Sequence, residues 1–271
     1  MPGLSVLFWN LNARPLEHRV GRLAFTYAVD VVCLAECDAP AGVLTAALSA
    51  VGRFVEADQS LPPLRVLHRL PVRSCRFHYA DPEGRWLLYR VFPNPPAPEI
   101  LLAVAHLPSK LMIRDTTQTL LTRPLVADIE AQEGICGHRR SVLVGDLNMN
   151  PFEEGVAGAG GLHGVMTAAV AARDERTVGG RPYPLFYNPM WGQFGDRTPG
   201  PPGTYYRSAA EAVNYFWNTY DQVLVRPELV KSLKSVEVLT HDGVESLLTK
   251  NDLPDRTNGS DHLPLLFRLE W

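Results

Sequence analysis

A short apolar run that ends in polar residues is the most constraining feature of this 271-residue chain. Residues 141–151 read Ser-Val-Leu-Val-Gly-Asp-Leu-Asn-Met-Asn-Pro. Consecutive branched apolar residues are typical of a strand buried on both faces, and Gly145 with the polar residues after it indicates an abrupt strand end. Open α/β sheets place functional groups at such ends. The alternative is an ordinary turn, in which Asp146 and Asn148 hydrogen-bond their own backbone.

Three further segments repeat this plan of a buried strand with a polar end. They are 4–10 with Asn10 and Asn12, 30–36 with Glu36, and 99–106 with His106. The first two precede helical patterns, which begin near Pro15 and Pro40. A lone acid at a strand end is usually a cap or a turn residue, and a lone histidine is usually a satisfied core residue. Several such ends in one chain instead predict a shared site.

The rest of the chain supplies more strands and one long helical pattern. Short strand patterns between 53 and 92 are closely spaced, which indicates antiparallel neighbours and a mixed sheet. The pattern from Ile113 to Gly137 is helical with Pro124 inside it, which predicts a kink or two consecutive helices. Near the C-terminus, Asp221 begins a predicted strand, and Asp261 and His262 lie in a polar turn before the closing strand.

Two segments read as irregular. The glycine-rich stretch 155–164 has no phosphate-loop lysine after it, so it predicts a flexible connection. Residues 173–202 are rich in Pro and Gly and predict a long aromatic loop. Such a loop is either a lid packed on its own side chains or a surface on which bases or a lipid headgroup stack. Its aromatic residues are Tyr183, Phe186, Tyr187, Trp191 and Phe194.

Composition narrows the class of protein. A hydrophobic content of 46% and a charged content of 20% are globular values, and no apolar run approaches the roughly 20 residues of a membrane helix. We recognise no secretory signal, and the four cysteines lack metal-finger spacing, so we expect free thiols in a reducing cytoplasm. No membrane association and no obligate protein partner are expected.

The net charge and the local charges lead to different predictions about binding to phosphate-rich partners. The net charge of −3 creates no global field that favours polyanions. A local excess of arginine between residues 60 and 90 could line one side of a phosphate-binding cleft, or it could merely keep a sheet face soluble. These residues are Arg65, Arg69, Arg73, Arg76, Arg85 and Arg90.

The polar strand ends form the candidate site. They include no lysine or cysteine suited to covalent catalysis and no group of three histidines suited to zinc. Oxygen ligands with a few histidines instead suit a hard cation such as Mg²⁺, for which Mn²⁺ can substitute. The set comprises Asn10, Asn12, Glu36, His106, Asp146, Asn148, Asp221, Asp261 and His262.

Five motifs in order resemble the endonuclease/exonuclease/phosphatase superfamily, which includes DNase-I-like nucleases and inositol polyphosphate 5-phosphatases. The motifs are Phe-Trp-Asn-Leu-Asn (8–12), Leu-Ala-Glu (34–36), His-Leu-Pro-Ser (106–109), Gly-Asp-Leu-Asn (145–148) and Ser-Asp-His (260–262). The resemblance covers residues 4–269. It implies one α/β domain over 1–271, a four-layer α/β/β/α sandwich in which two mixed β-sheets pack face to face with helices outside.

The resemblance also implies roles for individual residues. Glu36 would be the principal metal ligand, with Asn10 nearby and Asp261 a possible second ligand. Asp146 would orient or deprotonate the attacking water, and Asn148 would hold that water or a phosphate oxygen. His262, oriented by Asp221, would stabilise developing charge, and His106 would contact the phosphate or the leaving group. We further expect Asn12, Trp191 and Tyr205 to contact the substrate.

These features predict a Mg²⁺-dependent phosphodiesterase that hydrolyses nucleic acid, with DNA as the favoured substrate. The second interpretation is a phosphatase or phosphodiesterase acting on a small or lipid-linked phosphate, such as an inositol phosphate. The segment Thr-Tyr-Asp-Gln (219–222) stands where inositol 5-phosphatases carry Trp-Cys-Asp-Arg, which disfavours that subgroup. A catalytically silent binding module is a third possibility, and the presence of all the expected acids and histidines argues against it.

Overall fold

A computed structural model describes residues 3–60, 62–71, 73–110 and 115–271. The strands are β1 (Gly3–Asn10), β2 (Val31–Ala35), β3 (Val55–Glu56), β4 (Arg65–His68), β5 (Cys75–Ala80), β6 (Trp86–Val91), β7 (Ile100–His106), β8 (Ser141–Asp146), β9 (Gly164–Val165), β10 (Glu175–Val178), β11 (Arg181–Pro184), β12 (Phe186–Tyr187), β13 (Tyr205–Tyr206), β14 (Trp217–Asn218), β15 (Asp221–Val225), β16 (Leu233–Val238) and β17 (Leu265–Glu270). The helices are α1 (Glu17–Thr26), α2 (Ala41–Ala47), α3 (Asp115–Cys136), α4 (Glu154–Ala157) and α5 (Ala168–Ala171), with 3-10 helices at Pro189–Gln193 and Pro227–Leu229.

Two mixed sheets contain most of these strands. The first has the order β16-β17-β1-β2-β4-β3, and the second has the order β5-β6-β7-β8-β15-β12-β9. Within them, β1 runs parallel to β2 and β7 runs parallel to β8, whereas β15 is antiparallel to β8. The remaining strands form two small ribbons, β10 with β11 and β13 with β14.

Alternating side chains of the central strands build three apolar layers, because successive residues of a strand point to opposite faces. On β1, Phe8 packs into the core between the two sheets, together with Val104 of β7 and Val144 of β8. Its neighbours Leu7 and Trp9 face outward, where they pack with α1 and α2. On the far side, Leu143 packs against Leu125 of α3. The order helix, sheet, sheet, helix confirms the predicted four-layer sandwich.

The register of the central strands places their polar ends together. In the first sheet, Asn10 at the end of β1 is paired with Ala35, so Glu36 follows directly beside it. In the second sheet, His106 is paired with Asp146 on one side of β8, and Asp221 is paired with Asp146 on the other. Because the two sheets pack face to face, these ends meet at one edge of the sandwich.

Three local predictions need correction. Residues 173–202 are not a continuous loop, because β10 and β11 form a β-hairpin there and a 3-10 helix follows. The helix α3 continues through Pro124, so the alternative of two separate helices is wrong; residues 113 and 114 lie outside the described residues. The stretch 155–164 is tightly packed rather than flexible, since a Cβ on Gly161 would lie 2.1 Å from the carbonyl oxygen of Gly155.

In the portion of the chain that the structure describes, no helix combines the length and the apolar character needed to cross a lipid bilayer.

Candidate active site

The buried amide of Asn10 joins the two central carboxylates. Its Nδ2 donates to Glu36 Oε1 at 3.0 Å and to Asp146 Oδ2 at 2.9 Å. Its Oδ1 accepts the backbone N–H of Asn12 at 2.9 Å, which fixes the orientation of the amide. Asn10 is therefore placed to orient both carboxylates, and its nitrogen rather than its oxygen faces them.

His106 forms an ion pair with Glu36. The distance from His106 Nε2 is 3.4 Å to Glu36 Oε1 and 3.9 Å to Asp146 Oδ2. The hydrogen bond with His106 lowers the pKa of Glu36 to about 2, with help from Asn10 and against the effect of burial. Burial acts to lower the pKa of His106, but the nearby carboxylates outweigh it and raise that pKa. Glu36 is therefore ionised at neutral pH.

His262 is held by a buried carboxylate. Its Nδ1 is 2.8 Å from Asp221 Oδ2, and the backbone N–H of Asp221 donates in turn to Thr204 Oγ1. Burial disfavours the imidazolium, but the charges of Asp221 and Asp146 dominate and raise the pKa of His262 to about 10. Its Nε2 lies 3.8 Å from Asp146 Oδ2, beyond hydrogen-bonding distance. A protonated imidazole therefore faces the Asp146 carboxylate across a short gap.

Two buried hydrogen bonds connect β1 to the turn that contains Asp261 and His262. Ser260 Oγ donates to the carbonyl oxygen of Asn10 at 2.7 Å, and Trp9 Nε1 donates to the carbonyl oxygen of His262 at 2.8 Å. These bonds connect residues about 250 positions apart in sequence. They bring Asp261 to the rim of the same pocket as Glu36.

Three site residues adopt a left-handed backbone conformation. The φ angle is 51° at Asn12, 47° at Glu36 and 50° at Asn148. Residues other than glycine adopt this region at a cost, and such strained positions cluster at functional sites. Asparagine adopts this conformation more often than glutamate does, because the short amide side chain of asparagine can hydrogen-bond to the nearby backbone.

The carboxylates open into a small pocket of about 200 Å³. A larger cavity of about 630 Å³ shares Lys110, Arg207 and Tyr220 with it. The small pocket is lined by Asn12, Glu36, Ser109, Lys110, Asp146, Asn148, Tyr205, Arg207, Tyr220, Asp261 and His262. The two cavities thus form one continuous concave surface, with cations at their junction.

Aromatic rings and paired cations surround the junction. The Tyr205 ring is 4.7 Å from the His262 ring and stacks on Tyr220 at 5.3 Å. In the larger cavity, Phe152 packs edge-on against Tyr215 at 5.2 Å. The cations have acidic partners: Lys110 Nζ is 2.6 Å from Glu153, and Arg207 Nη2 is 3.2 Å from Glu211.

Most of the site residues predicted from sequence come together here. Glu36, Asp146, Asp261 and His262 line the small pocket with Asn12, Asn148 and Tyr205, while Asn10, His106 and Asp221 contact these carboxylates and His262. Two side chains lie differently from expectation. The Asn148 amide donates to the carbonyl oxygen of Leu107, and Trp191 packs on Phe152 and Phe194 behind the larger cavity.

The sequence interpretation missed the cations and one ring at the junction. Lys110 directly follows the His-Leu-Pro-Ser motif, and this adjacency was the available signal. Tyr220 directly precedes Asp221 and offered a similar signal, whereas Arg207 lies in a segment without a distinctive pattern. The arginine-rich region 60–90 does not supply the cations at this junction. Among the residues that the structure describes, none of its six arginines lines the small pocket. Four of them pair with carboxylates instead, namely Arg65 with Glu56, Arg69 with Asp30, Arg85 with Asp81 and Arg90 with Glu99.

The donor set fits a divalent cation. Ligand atoms of Glu36, His106 and Asp146 lie within 4.8 Å of one another. Carboxylate oxygens are the ligands that hard cations prefer. The Glu36 side chain is 36% exposed toward the pocket, so a bound ion could be reached by substrate.

The comparisons with known proteins agree with this geometry. The profile of the Endonuclease/Exonuclease/phosphatase family matches residues 7–262. The chain therefore belongs to this family, whose members are hydrolases acting on phosphodiester bonds. No curated protein sequence matches the chain.

Several solved structures share the fold at low sequence identity. D. rerio TDP2, complexed with a single-strand DNA product, is 17% identical with a TM-score of 0.58, and the match covers 99% of each chain. An AP endonuclease from Archaeoglobus fulgidus is 13% identical with a TM-score of 0.58, covering 99% of this chain and 100% of that one. The 3′ phosphatase NExo from Neisseria, bound to a product DNA hairpin, is 15% identical with a TM-score of 0.55 and the same coverage.

Proposed function

We propose that this protein is a cytoplasmic, Mg²⁺-dependent phosphodiesterase that hydrolyses DNA. The observation that carries the proposal is the meeting of Glu36, Asp146 and His262 at one edge of the sandwich, although they come from three distant parts of the chain. His106 and Asp221 support them through direct contacts. The free cysteines, three of which are buried, fit a reducing compartment.

Glu36 and Asp261 would hold the cation, and Asn10 would keep the Glu36 carboxylate in position. Hydrolysis of a phosphodiester needs charge neutralisation on the nonbridging oxygens and an activated water in line with the leaving oxygen. A bound Mg²⁺ would supply the charge neutralisation. Glu36 is ionised for this role, because its carboxylate carries negative charge throughout the neutral range.

Asp146 is suited to orient and deprotonate the attacking water. Its Oδ1 accepts the backbone N–H of Asn148 at 2.9 Å, and its Oδ2 accepts from Asn10. The carboxylate is thus fixed at both oxygens, which reduces the reorganisation needed during reaction. His262 Nε2 and Asp146 Oδ2 are 3.8 Å apart, so a single oxygen of the water or the phosphate, placed beside the pair, could contact both.

The two histidines would act on the substrate from opposite sides of Asp146. His262 presents a positively charged Nε2 toward the pocket, so it can donate to the charge that develops on phosphorus-bound oxygen. Asp221 keeps Nδ1 of that ring protonated and the ring oriented. His106, bonded to Glu36, is placed to contact the phosphate or the leaving group.

The larger cavity supports a nucleic acid rather than a compact substrate. Exposed aromatic side chains such as Phe152 and Tyr215 can stack with bases, and Lys110 and Arg207 can contact phosphates. The structures of D. rerio TDP2 and the Neisseria enzyme contain DNA products, which is consistent with this substrate class.

A phosphatase or phosphodiesterase acting on a small or lipid-linked phosphate is the second candidate. The observation in its favour is the catalytic pocket itself, which at about 200 Å³ suffices for a single phosphate group. A substrate panel separates the candidates. We expect cleavage of plasmid and oligonucleotide DNA with Mg²⁺ or Mn²⁺ and none after chelation. If DNA stays intact while an inositol phosphate or a generic diester is cleaved, the second candidate is correct.

Substitution of the catalytic groups tests the assignment of roles. Asp146→Asn and His262→Ala should each lower kcat on DNA at least about 100-fold, the usual range for loss of a general base or acid. Circular dichroism should show that both variants fold. Asp196→Asn, in an exposed segment, is the matched control and should retain activity. Nearly full activity in either site variant would remove that residue from the mechanism.

A further inference from the structure

A second group of ligand-type side chains lies at the other end of β7. Glu99 directly precedes β7, Cys136 ends α3, His138 lies in the turn after α3, and His78 is on β5. The catalytic His106 is the last residue of β7. Seven residues of a strand span about 20 Å, so this cluster is separate from the site described above.

The cluster has the spacing of a metal site. Ligand atoms of Glu99, Cys136 and His138 lie within 4.8 Å of one another. The His138 Nε2 is 3.6 Å from Glu99 Oε1, and the Cys136 Sγ is 3.6 Å from His78 Nε2. A tetrahedral zinc ion with bonds of about 2.0–2.3 Å holds its ligand atoms about 3.3–3.8 Å apart. Glu99, Cys136 and His138 thus have nearly the required spacing, whereas His78 contacts only Cys136 and would have to move closer to the other two ligands.

His138 supplies the independent sign of a ligand. Its side chain is only 6% exposed, and its buried Nε2 has no hydrogen-bond partner among the residues that the structure describes. This nitrogen is directed toward Glu99. Its Nδ1 accepts the backbone N–H of Arg140 at 3.1 Å, so the neutral ring carries its proton on Nε2. Metal binding would move that proton to Nδ1 and release the Arg140 contact.

The surroundings of the other ligands suit a cation that prefers sulfur and nitrogen. Arg90 Nη2 donates to Glu99 Oε2 at 2.9 Å, and Arg90 Nε contacts Glu99 Oε1, so the carboxylate is held in place but still has lone pairs free. A thiolate and a carboxylate together neutralise a divalent ion, despite the neighbouring Arg90.

We propose that Glu99, Cys136 and His138, with His78, form a second cation site for a thiophilic divalent ion, namely Zn²⁺ or its substitute Co²⁺. Such an ion would release the Cys136 thiol proton and fasten the end of α3 to the sheet. Thiolate and imidazole ligands select zinc-like ions, whereas the oxygen-rich catalytic pocket selects Mg²⁺. Cys136 is only partly buried, which gives the ion a path of entry.

Cobalt spectroscopy of the full-length protein tests this proposal without reference to activity. Titration with Co²⁺ should produce the absorption of sulfur-to-cobalt charge transfer and saturate at one equivalent. Cys136→Ser should abolish this absorption, and His138→Ala should weaken Co²⁺ binding at least about tenfold. Zn²⁺ should displace the cobalt. Circular dichroism establishes that each variant is folded.

Two control variants distinguish this site from the rest of the molecule. Cys75→Ser removes a thiol that lies in the core between the sheets and should leave the absorption unchanged. Glu36→Gln alters only the catalytic pocket and should also leave it unchanged. The proposal is overturned if the wild type shows no charge-transfer band, if the band survives Cys136→Ser, or if it disappears in Glu36→Gln.

Discussion

At the residue scale, the sequence predicts which side chains come together at the strand ends, but it does not predict the contacts that each of them makes. Glu36, Asp146 and His262 were recognisable because each belongs to a short motif, at the end of an apolar run for the two acids and in the polar turn before the closing strand for the histidine. The orientation of Asn10 was not recognisable, because only the structure shows that its amide oxygen is used by the Asn12 N–H. The surroundings of Trp191 were also not recognisable, because only the structure shows that its ring packs against Phe152 and Phe194.

Gly145 allows the close approach of β8 to β7, and its replacement tests the packing of the strands that carry the candidate site. A Cβ at this position would lie 2.1 Å from the carbonyl oxygen of Ala105. We therefore expect Gly145→Ala to lower the free energy of unfolding by about 1–3 kcal/mol or more, as overpacking does. Urea denaturation measures this.

The control for this substitution is Gly134→Ala. Gly134 lies in α3, and nothing would contact an added Cβ within 4 Å. Alanine is the better helix former by up to about 1 kcal/mol, so this variant should be neutral or more stable. Equal stability of the two variants would contradict the packing argument.

At the scale of elements, a buried ion pair joins α3 to the second sheet. Arg226, which follows β15 and is fully buried, binds Glu133 of α3 through Nε at 2.8 Å and Nη2 at 3.2 Å. Glu133→Ala should destabilise the protein by up to about 3–5 kcal/mol, because it removes the nearer carboxylate from the buried guanidinium and leaves only Glu130 at 3.7 Å. Chemical denaturation gives this difference.

A double substitution separates the energetic contribution of the ion pair from the cost of leaving one buried charge without a partner. Combining Glu133→Ala with Arg226→Met should recover part of the lost stability. The exposed pair of Arg268 and Glu237 is the matched control, and Glu237→Ala should cost less than about 1 kcal/mol. If the loss of stability in the double variant equals the sum of the losses in Glu133→Ala and Arg226→Met, the two charges are not coupled.

The loop that contains Asp242 connects to α1 through charge, which predicts a pH dependence. Burial acts to raise the pKa of Asp242, but hydrogen bonds from the backbone of Glu245 and Val244 and the charges of Arg19 and Arg22 lower it. A carboxyl whose pKa is lower in the folded state stabilises the protein above its unfolded pKa of about 3.9, and this contribution is lost as the pH falls.

We therefore expect Asp242→Asn to destabilise the protein at pH 7, and we expect the difference from the wild type to shrink at pH 3. Urea denaturation at both pH values measures the two differences. Asp196→Asn is the control and should change the stability little at either pH value, because its side chain is in an exposed segment. If Asp242→Asn loses the same amount of stability at both pH values, the loss reflects packing and not the charge of the carboxylate.

Most elements could be predicted from apolar runs and their polar ends, but those that depend on distant contacts could not. The central strands were recognisable because they are buried on both faces. The hairpin of β10 and β11 was not, since its residues are mostly exposed and rich in Pro and Gly, so its sequence resembles a loop. The compact packing of 155–164 depends on α3, which contacts it from a different part of the chain.

On the scale of the whole molecule, the charge distribution predicts weakly salt-dependent DNA binding. The net charge is −3, and the cations beside the pocket are Lys110 and Arg207. Two phosphate contacts on a single strand correspond to a slope of about −1.4 for the logarithm of the binding constant against the logarithm of salt concentration.

Fluorescence anisotropy with a labelled single strand in the presence of a chelator measures this slope without cleavage. Lys110→Ala should reduce it by about 0.7, while Arg139→Ala, which removes a cation outside both cavities, should leave it unchanged. A slope steeper than about −4 would indicate a phosphate-binding surface much larger than the junction of the two cavities.

The left-handed backbone at Asn12, Glu36 and Asn148 has a consequence for engineering new specificities from this scaffold. β-Branched side chains are disfavoured at these positions whatever chemistry they carry, so mutant libraries there should favour Asn, Asp and Gly. Variation in the lining side chains of the larger cavity escapes this restriction. Laboratory evolution of the protein would accordingly alter its choice of substrate sooner than its reaction.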